Sequence, residues 1–405
     1  MRHVVVMVTT SYPRFPGDGI GSFLEPIAKG VAARGHEVHV VAPWHPAIAR
    51  GKVEDGVFFH FFRYAPVASL AVFGYAAGLR EDTRLRAAAW AVAPLAIAAG
   101  WFKAMRVASK RRATVMHGHW VVPGGAIARM AAGRRPLVVS LHGSDVFMAE
   151  RSGPARLAAR AAFRRAGWIT ACSEDLAERA IRLGAPAARV EVVPYGVDTA
   201  RFAPDPGARE AVRAELGIGR APFVLAAGRL VSKKGFEYLI DATASLAARV
   251  PDVRLLIAGD GDLRDELAAR AERVGHGRIR LLGNQSQDEI ARLAAAADVV
   301  AVPSVRDAAG NVDGLPNFVL EALAAAAPVV ATDVGGLPQI IRDGANGRLV
   351  PAKNPEALAG AIGDLLAHPD TARALGQRGR ELVVRDYGWS RTAERFEAAY
   401  DRAGR

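Results

Sequence analysis

Cysteine is all but missing from this chain. Cys172 is the single one in 405 residues, which excludes an internal disulfide and fits a reducing compartment. No base stands beside it in sequence, so it reads as a small buried residue at a strand end rather than a nucleophile. Zinc spacing is missing too. His117-Gly-His119 sets two imidazoles on one face of an extended segment, but no third ligand follows at a zinc-binding interval, and the pair reads as cleft-lining or packing. Short repeats and low-complexity runs are lacking. No leader peptide is expected, because Met1-Arg-His runs into a short Val-rich strand and then the loop Thr9-Thr-Ser-Tyr-Pro-Arg14. The one apolar stretch near the length of a membrane span, Ala87 to Ala104, carries Pro94, Gly100 and Lys103 and is read as non-spanning.

Positive charge, by contrast, is in excess: 53 Lys and Arg against 41 Asp and Glu give +12. Neutralising nucleic-acid phosphates is one use of such a balance. No nucleic-acid module is recognisable, however, and the basic residues are scattered among helices, so nucleic acid is not expected as a partner. Small anionic ligands and a membrane surface fit better. Lys103, Arg106, Lys110, Arg111 and Arg112 follow Trp90, Trp101 and Phe102, a pattern in which aromatics dip into a bilayer while cations meet anionic headgroups. A domain helix with a solvated basic end has the same pattern.

The length suggests two domains of ordinary size. Short Val- and Ile-rich strands alternate with Ala-rich helical stretches, the pattern of parallel sheets covered by helices on both faces. Strands are predicted at His3–Val8, Val38–Ala42, Val115–His117, Leu137–Leu141, Trp168–Ala171 and Val190–Val193. A polar connection from Asp198 to Gly207 leads to a second series at Val224–Ala227, Arg254–Ala258, Ile279–Leu282, Val299–Val302, Val329–Thr332 and Arg348–Val350. The expected fold class is therefore α/β, two Rossmann-like doubly wound domains over residues 1–198 and 199–386, with a terminal helical stretch over 387–405.

Four segments invite a chemical reading. Asp313-Gly-Leu-Pro-Asn-Phe-Val-Leu-Glu321 sets two carboxylates eight residues apart around a helix start, with Pro316 expected as the first helical residue. Free amides and the positive dipole end near Leu315 to Phe318 suit a diphosphate. Upstream, Arg229 and Lys234 follow the strand Val224–Ala227 and form a phosphate clamp in outline, a planar fork joined to a movable point charge, with Lys233 read as dispensable. His142, after the strand Val138-Val-Ser-Leu141, sits where side chains face a cleft; Asp145 either orients it or begins the next turn. Gly17-Asp-Gly-Ile-Gly21 starts like a dinucleotide fingerprint. It fails at Ser22, and the second strand ends Val-Val-Ala-Pro43 without the acid that holds a ribose, so NAD is not expected.

Together with Ile257-Ala-Gly-Asp-Gly-Asp262, Ala297-Asp-Val-Val-Ala-Val-Pro-Ser304, Val329-Val-Ala-Thr-Asp-Val-Gly-Gly336, His117-Gly-His-Trp120 and Val193-Pro-Tyr-Gly-Val-Asp198, these segments resemble the retaining GT-B glycosyltransferases of family 4 over nearly the whole chain. The resemblance implies two Rossmann-like domains facing a central cleft, the 387–405 helix packing back on the first domain, and transfer of a hexose from a nucleotide-diphosphate sugar to a glycan or lipid-linked acceptor. It implies catalytic roles for His142, Asp313, Arg229 and Lys234. It implies donor binding by Gly19, Gly21, Arg229, Lys234, Ser304, Gly314, Leu315, Asn317 and Glu321, with Asp313 on the sugar and Glu321 on the ribose. No cofactor and no metal are expected, and no Asp-x-Asp motif of the metal-dependent single-domain glycosyltransferases is read in the chain. The expected setting is cytoplasmic, at the inner membrane face through residues 101–112, in envelope or exopolysaccharide synthesis. One departure stands out: Asp313 replaces the first Glu of the family's Glu-x7-Glu pair and is one methylene shorter. The shorter reach bears on donor-sugar preference and keeps open a catalytically silent nucleotide-sugar-binding subunit; a same-fold epimerase or phosphorylase is the alternative within chemistry.

Overall fold

Strands this short and this apolar cannot face water on either side, so they must lie inside layers of helices. The structure, a computed structural model, describes residues 2–75, 79–80, 84–85 and 87–405, with side chains over 2–75 and 91–405. It divides into two compact units, Met1–Tyr195 with Trp389–Arg405, and Gly196–Gly388. These divisions replace the 198/199 and 386/387 boundaries expected above. Val197 donates its N–H to the Tyr387 carbonyl at 2.8 Å and bridges Gly388, so both crossing segments fall within the second unit.

The first unit holds β1 (Val4–Val8), β2 (Glu37–Pro43), β3 (Val53–Glu54), β4 (Val57–Phe62), β5 (Leu79–Arg80), β6 (Arg84–Leu85), β7 (Val115–His119), β8 (Leu137–Leu141), β9 (Trp168–Ala171) and β10 (Val190–Val192). Eight of these form one sheet in the order β10-β9-β8-β7-β1-β2-β4-β3, parallel except for β3 against β4, while β5 and β6 pair separately. The short strands β3, β5 and β6 are absent from the sequence reading, and two further differences bear on the carboxyl edge of the sheet. Val57-Phe-Phe-His-Phe-Phe62 is a strand that was not predicted, and β7 extends to His119, so both histidines lie within the sheet. The order reverses between β1 and β7, which puts the loops after those strands at a topological switch point.

The second unit holds β11 (Phe223–Ala227), β12 (Arg254–Ala258), β13 (Ile279–Gly283), β14 (Val299–Val302), β15 (Val329–Thr332) and β16 (Arg348–Val350), ordered β13-β12-β11-β14-β15-β16 and all parallel. Its switch point lies between β11 and β14. One face of this sheet buries Leu239, Ile240 and Leu246 of the helix Phe236–Arg249 together with Leu358, Ile362 and Leu365 of the helix Pro355–Ala367.

The terminal helix Trp389–Ala403 belongs to the first unit. Its Ala393, Phe396, Ala399 and Tyr400 join the core built from β1, β2 and the helix Leu24–Ala33, and the Tyr400 hydroxyl lies 3.0 Å from His117 Nδ1. Small residues make the packing close: a Cβ on Gly30 would stand 3.0 Å from that of Ala393. Phe396 is 3 % exposed, so Phe396→Ala is expected to destabilise the unit by about 3–5 kcal/mol. Chemical denaturation followed by near-UV circular dichroism reads this directly, and a loss well under 1 kcal/mol would show the helix to be a loosely held appendage.

Candidate functional site

In the second unit, four loops at the carboxyl edge of the sheet interlock. The turn after β11 carries Arg229, Lys233 and Lys234, and Val305 after β14 donates its N–H to the Lys233 carbonyl at 2.9 Å. Leu230 donates to the Asp260 carbonyl at 2.9 Å, which ties in the loop after β12. The loop after β15 closes the set. Gly335, at φ +59°, comes so close that a Cβ there would lie 2.1 Å from the Asp313 carbonyl oxygen, so only glycine fits. The glycines of the motifs are therefore contact points between backbones.

This arrangement holds Asp313 between two cations. Lys233 Nζ is 3.0 Å from Oδ1 and Lys234 Nζ is 2.6 Å from Oδ2. Burial alone raises a carboxylate's pKa, but the fields of Lys233 and Lys234 overcome it and hold Asp313 well below the usual range. Lys233, read above as dispensable, is thus half of the clasp; two adjacent lysines in a loop give no sequence sign of which one turns inward. Arg229 is exposed on the same loop. Partial desolvation lowers its pKa against the opposing fields of Asp262 and Asp313.

Pro316, at φ −65° and ψ 119°, stands just before the helix rather than in it, and the helix runs Asn317–Ala324. An extended ψ excludes Pro316 from the first turn, while its fixed φ still aims the chain into it. Glu321 lies on this helix, partly buried. Desolvation pushes it up to about 7, against the lowering influence of Lys234, Gln287 and Arg201. Gly314 and Leu315 are buried, and the Asn317 Oδ1 has no hydrogen-bond partner among the described residues. Ser304 is 1 % exposed with its Oγ likewise unpartnered, so it lies beneath the loops rather than on an open wall.

The first unit presents a different chemistry. His142 follows β8 and is held on both ring nitrogens: Nδ1 lies 2.8 Å from the Tyr195 hydroxyl and Nε2 lies 3.1 Å from His119 Nδ1. His117, below, meets the Ser140 hydroxyl at 2.6 Å. Desolvation pushes His119 down to about 3 and keeps His117 and His142 well below the usual imidazole value, with His119 adding to the shift of both, so the three rings are neutral. Phe23 stacks on Tyr195 at 4.6 Å and Trp120 meets His142 edge-on at 4.9 Å. Asp145 orients the backbone of this turn. Its Oδ1 accepts from the N–H groups of Gly143 at 2.9 Å and His142 at 3.2 Å, and its Oδ2 from Val121 at 2.7 Å. Tyr195 was not picked out from the sequence, because its partner lies 53 residues away.

Gly19 and Gly21 lie in the loop after β1, with Gly21 at φ +67°. Asp18 shapes that loop, accepting from Arg14 Nε at 2.6 Å and from the Ile20 N–H at 3.2 Å. The predicted residues thus gather in two groups: His142, Gly19 and Gly21 on the first unit, and the remaining ones on the second. Asp260-Gly-Asp262 does have the Asp-x-Asp spacing passed over above. Asp260 Oδ1 accepts from the Gly261 N–H at 2.8 Å, and no group of three His, Cys, Asp or Glu side chains suited to a metal occurs among the described residues.

The helix Ala87–Lys110 covers part of the first sheet, burying Val92, Ala96, Ala104, Val107 and Ala108. Its outer side exposes Leu95 at 59 % and Phe102 at 55 %, with Arg106 and Lys110 exposed beyond them. Over Ala91–Lys110 it is long and apolar enough to cross a membrane, by length and composition. The Trp90 side chain lies outside the described residues.

Comparison with known proteins agrees with this architecture. A family model for "Glycosyltransferase Family 4" matches residues 17–201 and one for "Glycosyl transferases group 1" matches residues 208–382. The chain is 32 % identical over 403 residues to a GDP-mannose-dependent alpha-(1-6)-phosphatidylinositol monomannoside mannosyltransferase of Mycobacterium tuberculosis, covering 97 % of this chain and 96 % of that one. HepE of Anabaena in complex with UDP superposes with a TM-score of 0.78 at 22 % identity, over 98 % of this chain and 99 % of that one. Sucrose-phosphate synthase of Thermosynechococcus elongatus superposes at 0.81 and 22 % identity, over 99 % of each chain. The two parallel-sheet units are those of the GT-B architecture. The chain belongs to the group 1 glycosyltransferases, with the family 4 amino-terminal domain.

The Glu321 carboxyl gives a stability prediction with a definite sign. Its folded pKa lies above the ordinary value of 4.5, so the fold favours the protonated form and loses stability as pH rises from about 4.5 to about 7. Glu321→Gln is expected to be more stable than the parent at pH 8 by up to about 3 kcal/mol, with the gap closing towards pH 4.5. Melting temperatures across that range test it; an equal gap at every pH would mean the carboxyl titrates normally.

Proposed function

We propose that this chain is a retaining, metal-independent hexosyltransferase that moves a sugar from a nucleotide diphosphate to a glycan or lipid-linked acceptor. The observation that carries the reading is the Lys233–Asp313–Lys234 clasp beside Arg229 and the start of the helix Asn317–Ala324, all at the carboxyl edge of the second sheet's switch point. Departure of a nucleoside diphosphate leaves negative charge on a phosphate oxygen. Two ammonium groups, a guanidinium and free helix amides are what stabilises it. As the anomeric C–O bond breaks, the acceptor hydroxyl attacks from the same face, its oxygen bonds to the anomeric carbon, and its proton passes to the departing phosphate. Asp313 is neutralised by two lysines, which argues against it as a covalent nucleophile. His142, neutral and held on both nitrogens, is placed to hydrogen-bond a sugar hydroxyl once one of its protein partners gives way. Glu321 is assigned to the ribose.

The mannosyltransferase relative supports GDP-mannose as the first donor to test and envelope glycolipid synthesis as the setting. Leu95 and Phe102 beside Arg106, Lys110, Arg111 and Arg112 support attachment to an anionic membrane surface on the cytoplasmic side.

Two experiments test the reading. Calorimetric titration with GDP, UDP and ADP, with and without divalent metal, should show metal-independent binding of one of them, weakened about tenfold or more in Arg229→Ala and Lys234→Ala. Parent-like affinity in both variants would remove the clamp. Donor binding without transfer to any acceptor would instead favour the silent subunit. For the membrane, Phe102→Asp should lower partitioning onto anionic phospholipid vesicles about tenfold, and unchanged partitioning would place the contact elsewhere.

A further inference from the structure

The carboxyl edge of the first sheet carries a second set of side chains that the donor chemistry does not use. Trp44 follows β2 and Arg63 follows β4, and the two strands are parallel neighbours with Pro43 paired to Phe62. The Trp44 N–H donates to the Phe62 carbonyl at 2.8 Å, which fixes the two loop starts side by side. There the Arg63 guanidinium lies over the Trp44 ring, 4.0 Å from its centroid. Arg63 is exposed, and no carboxylate pairs with it among the described residues. Stacking uses the face of a guanidinium and leaves its N–H edge free, the fork that grips a phosphate or carboxylate in two parallel hydrogen bonds. The row continues inward: His45 lies against Tyr75 at 5.2 Å, and the Arg14 guanidinium sits 6.0 Å from the same ring.

We infer that Arg63, held flat by Trp44, recognises an oxyanion carried by the acceptor several sugar units from the hydroxyl that reacts. The inference rests on the reading of His142 as the residue beside the transferred sugar. His142 follows β8, and the sheet order β8-β7-β1-β2-β4 places Trp44 three strand steps and Arg63 four steps from it. At the usual spacing between strands these are about 14 Å and about 19 Å. An anion on the ring that is glycosylated cannot span that interval. A diphosphate at the lipid-linked end of an oligosaccharide, or a uronate within it, can.

The test compares acceptor oligosaccharides of one length in three forms: a neutral alkyl glycoside, a farnesyl diphosphate-linked glycan and a uronate-containing glycan. The parent protein should prefer one of the two anionic forms in kcat/KM. In Arg63→Ala and in Arg63→Lys, which keeps charge but loses the fork, that preference should fall about tenfold through KM. Arg182→Ala, an exposed arginine on the helix Glu174–Arg182, is the charge-matched control. Which anionic form responds tells diphosphate from uronate. Equal rates with all three acceptors in the parent, or a preference that survives in Arg63→Ala, overturns the inference. Nucleotide titration run alongside separates this from failure of the functional reading: no GDP, UDP or ADP binding by the parent sinks that reading, whereas normal binding with no anion preference sinks the Arg63 site alone.

Discussion

The second unit is organised around one buried carboxylate. Asp313 is 8 % exposed, and a charge so placed costs several kcal/mol unless it is paired. Lys233 and Lys234 supply the pairing from the neighbouring loop, and that requirement fixes the rest. The loop after β11 must turn back at Gly235 against the Pro303 carbonyl, and the loop after β15 must come down on Asp313 through Gly335. Two consecutive lysines point at one carboxylate, so two cationic charges are gathered at a single point of the loop. The same pairing sets a competition. On the proposed reading, a diphosphate bound there would have to draw ammonium groups away from Asp313 or share them with it. A carboxylate with a short side chain, ending where the two Nζ atoms meet, is suited to holding them in the meantime.

The first unit solves the opposite problem. His117, His119 and His142 are stacked close together, and three imidazolium ions there would repel one another as well as lose hydration. Burial keeps all three neutral, so each ring has one donor and one acceptor to place. Tyr400 and Ser140 partner His117, Tyr195 partners His142, and His119 meets His142 through Nδ1 while its buried Nε2 has no hydrogen-bond partner among the described residues; Ser140 passes the chain on to Thr170 at 2.6 Å. Tyr400 comes from the terminal helix, which joins the last residues of the sequence to the hydrogen-bonded layer beneath His142.

Much of this was legible from residue patterns. The strands that bracket the Arg229 and Asp313 segments are buried on both faces and bounded by glycine or polar turns, so Arg254–Ala258, Val299–Val302 and Val329–Thr332 could be read to the residue. What escaped has a common cause. Val57–Phe62 is an edge-proximal strand with aromatic residues on both faces, which gives no alternation to detect. The inward turn of Lys233, the Tyr195 partner of His142 and the Trp44–Arg63 stack all depend on contacts between residues distant in sequence or on rotamer choice. No local periodicity encodes those. The sheet-forming pattern located the loops; only the fold reveals which side chains the loops bring together.

The difference between the two units matters for the proposed reaction. An oxocarbenium-like sugar gains positive charge as the leaving diphosphate gains negative charge. Cations near the phosphate lower the barrier, while a cation near the sugar ring would raise it by simple repulsion. The second unit gathers its lysines and Arg229 with the helix start, whereas in the first unit the His142 ring itself meets the imidazole of His119 and the phenol of Tyr195, with the Asp145 carboxylate held on the backbone N–H groups of the same turn. A protonated His142 would contribute one more hydrogen bond but at the cost of placing its charge against the wrong partner. Desolvation, with His119 close by, holds the His142 pKa well below the usual imidazole value and so disfavours that charge. Within the first unit, burial thus keeps cationic charge off the His142 ring, while within the second the lysines are gathered on Asp313.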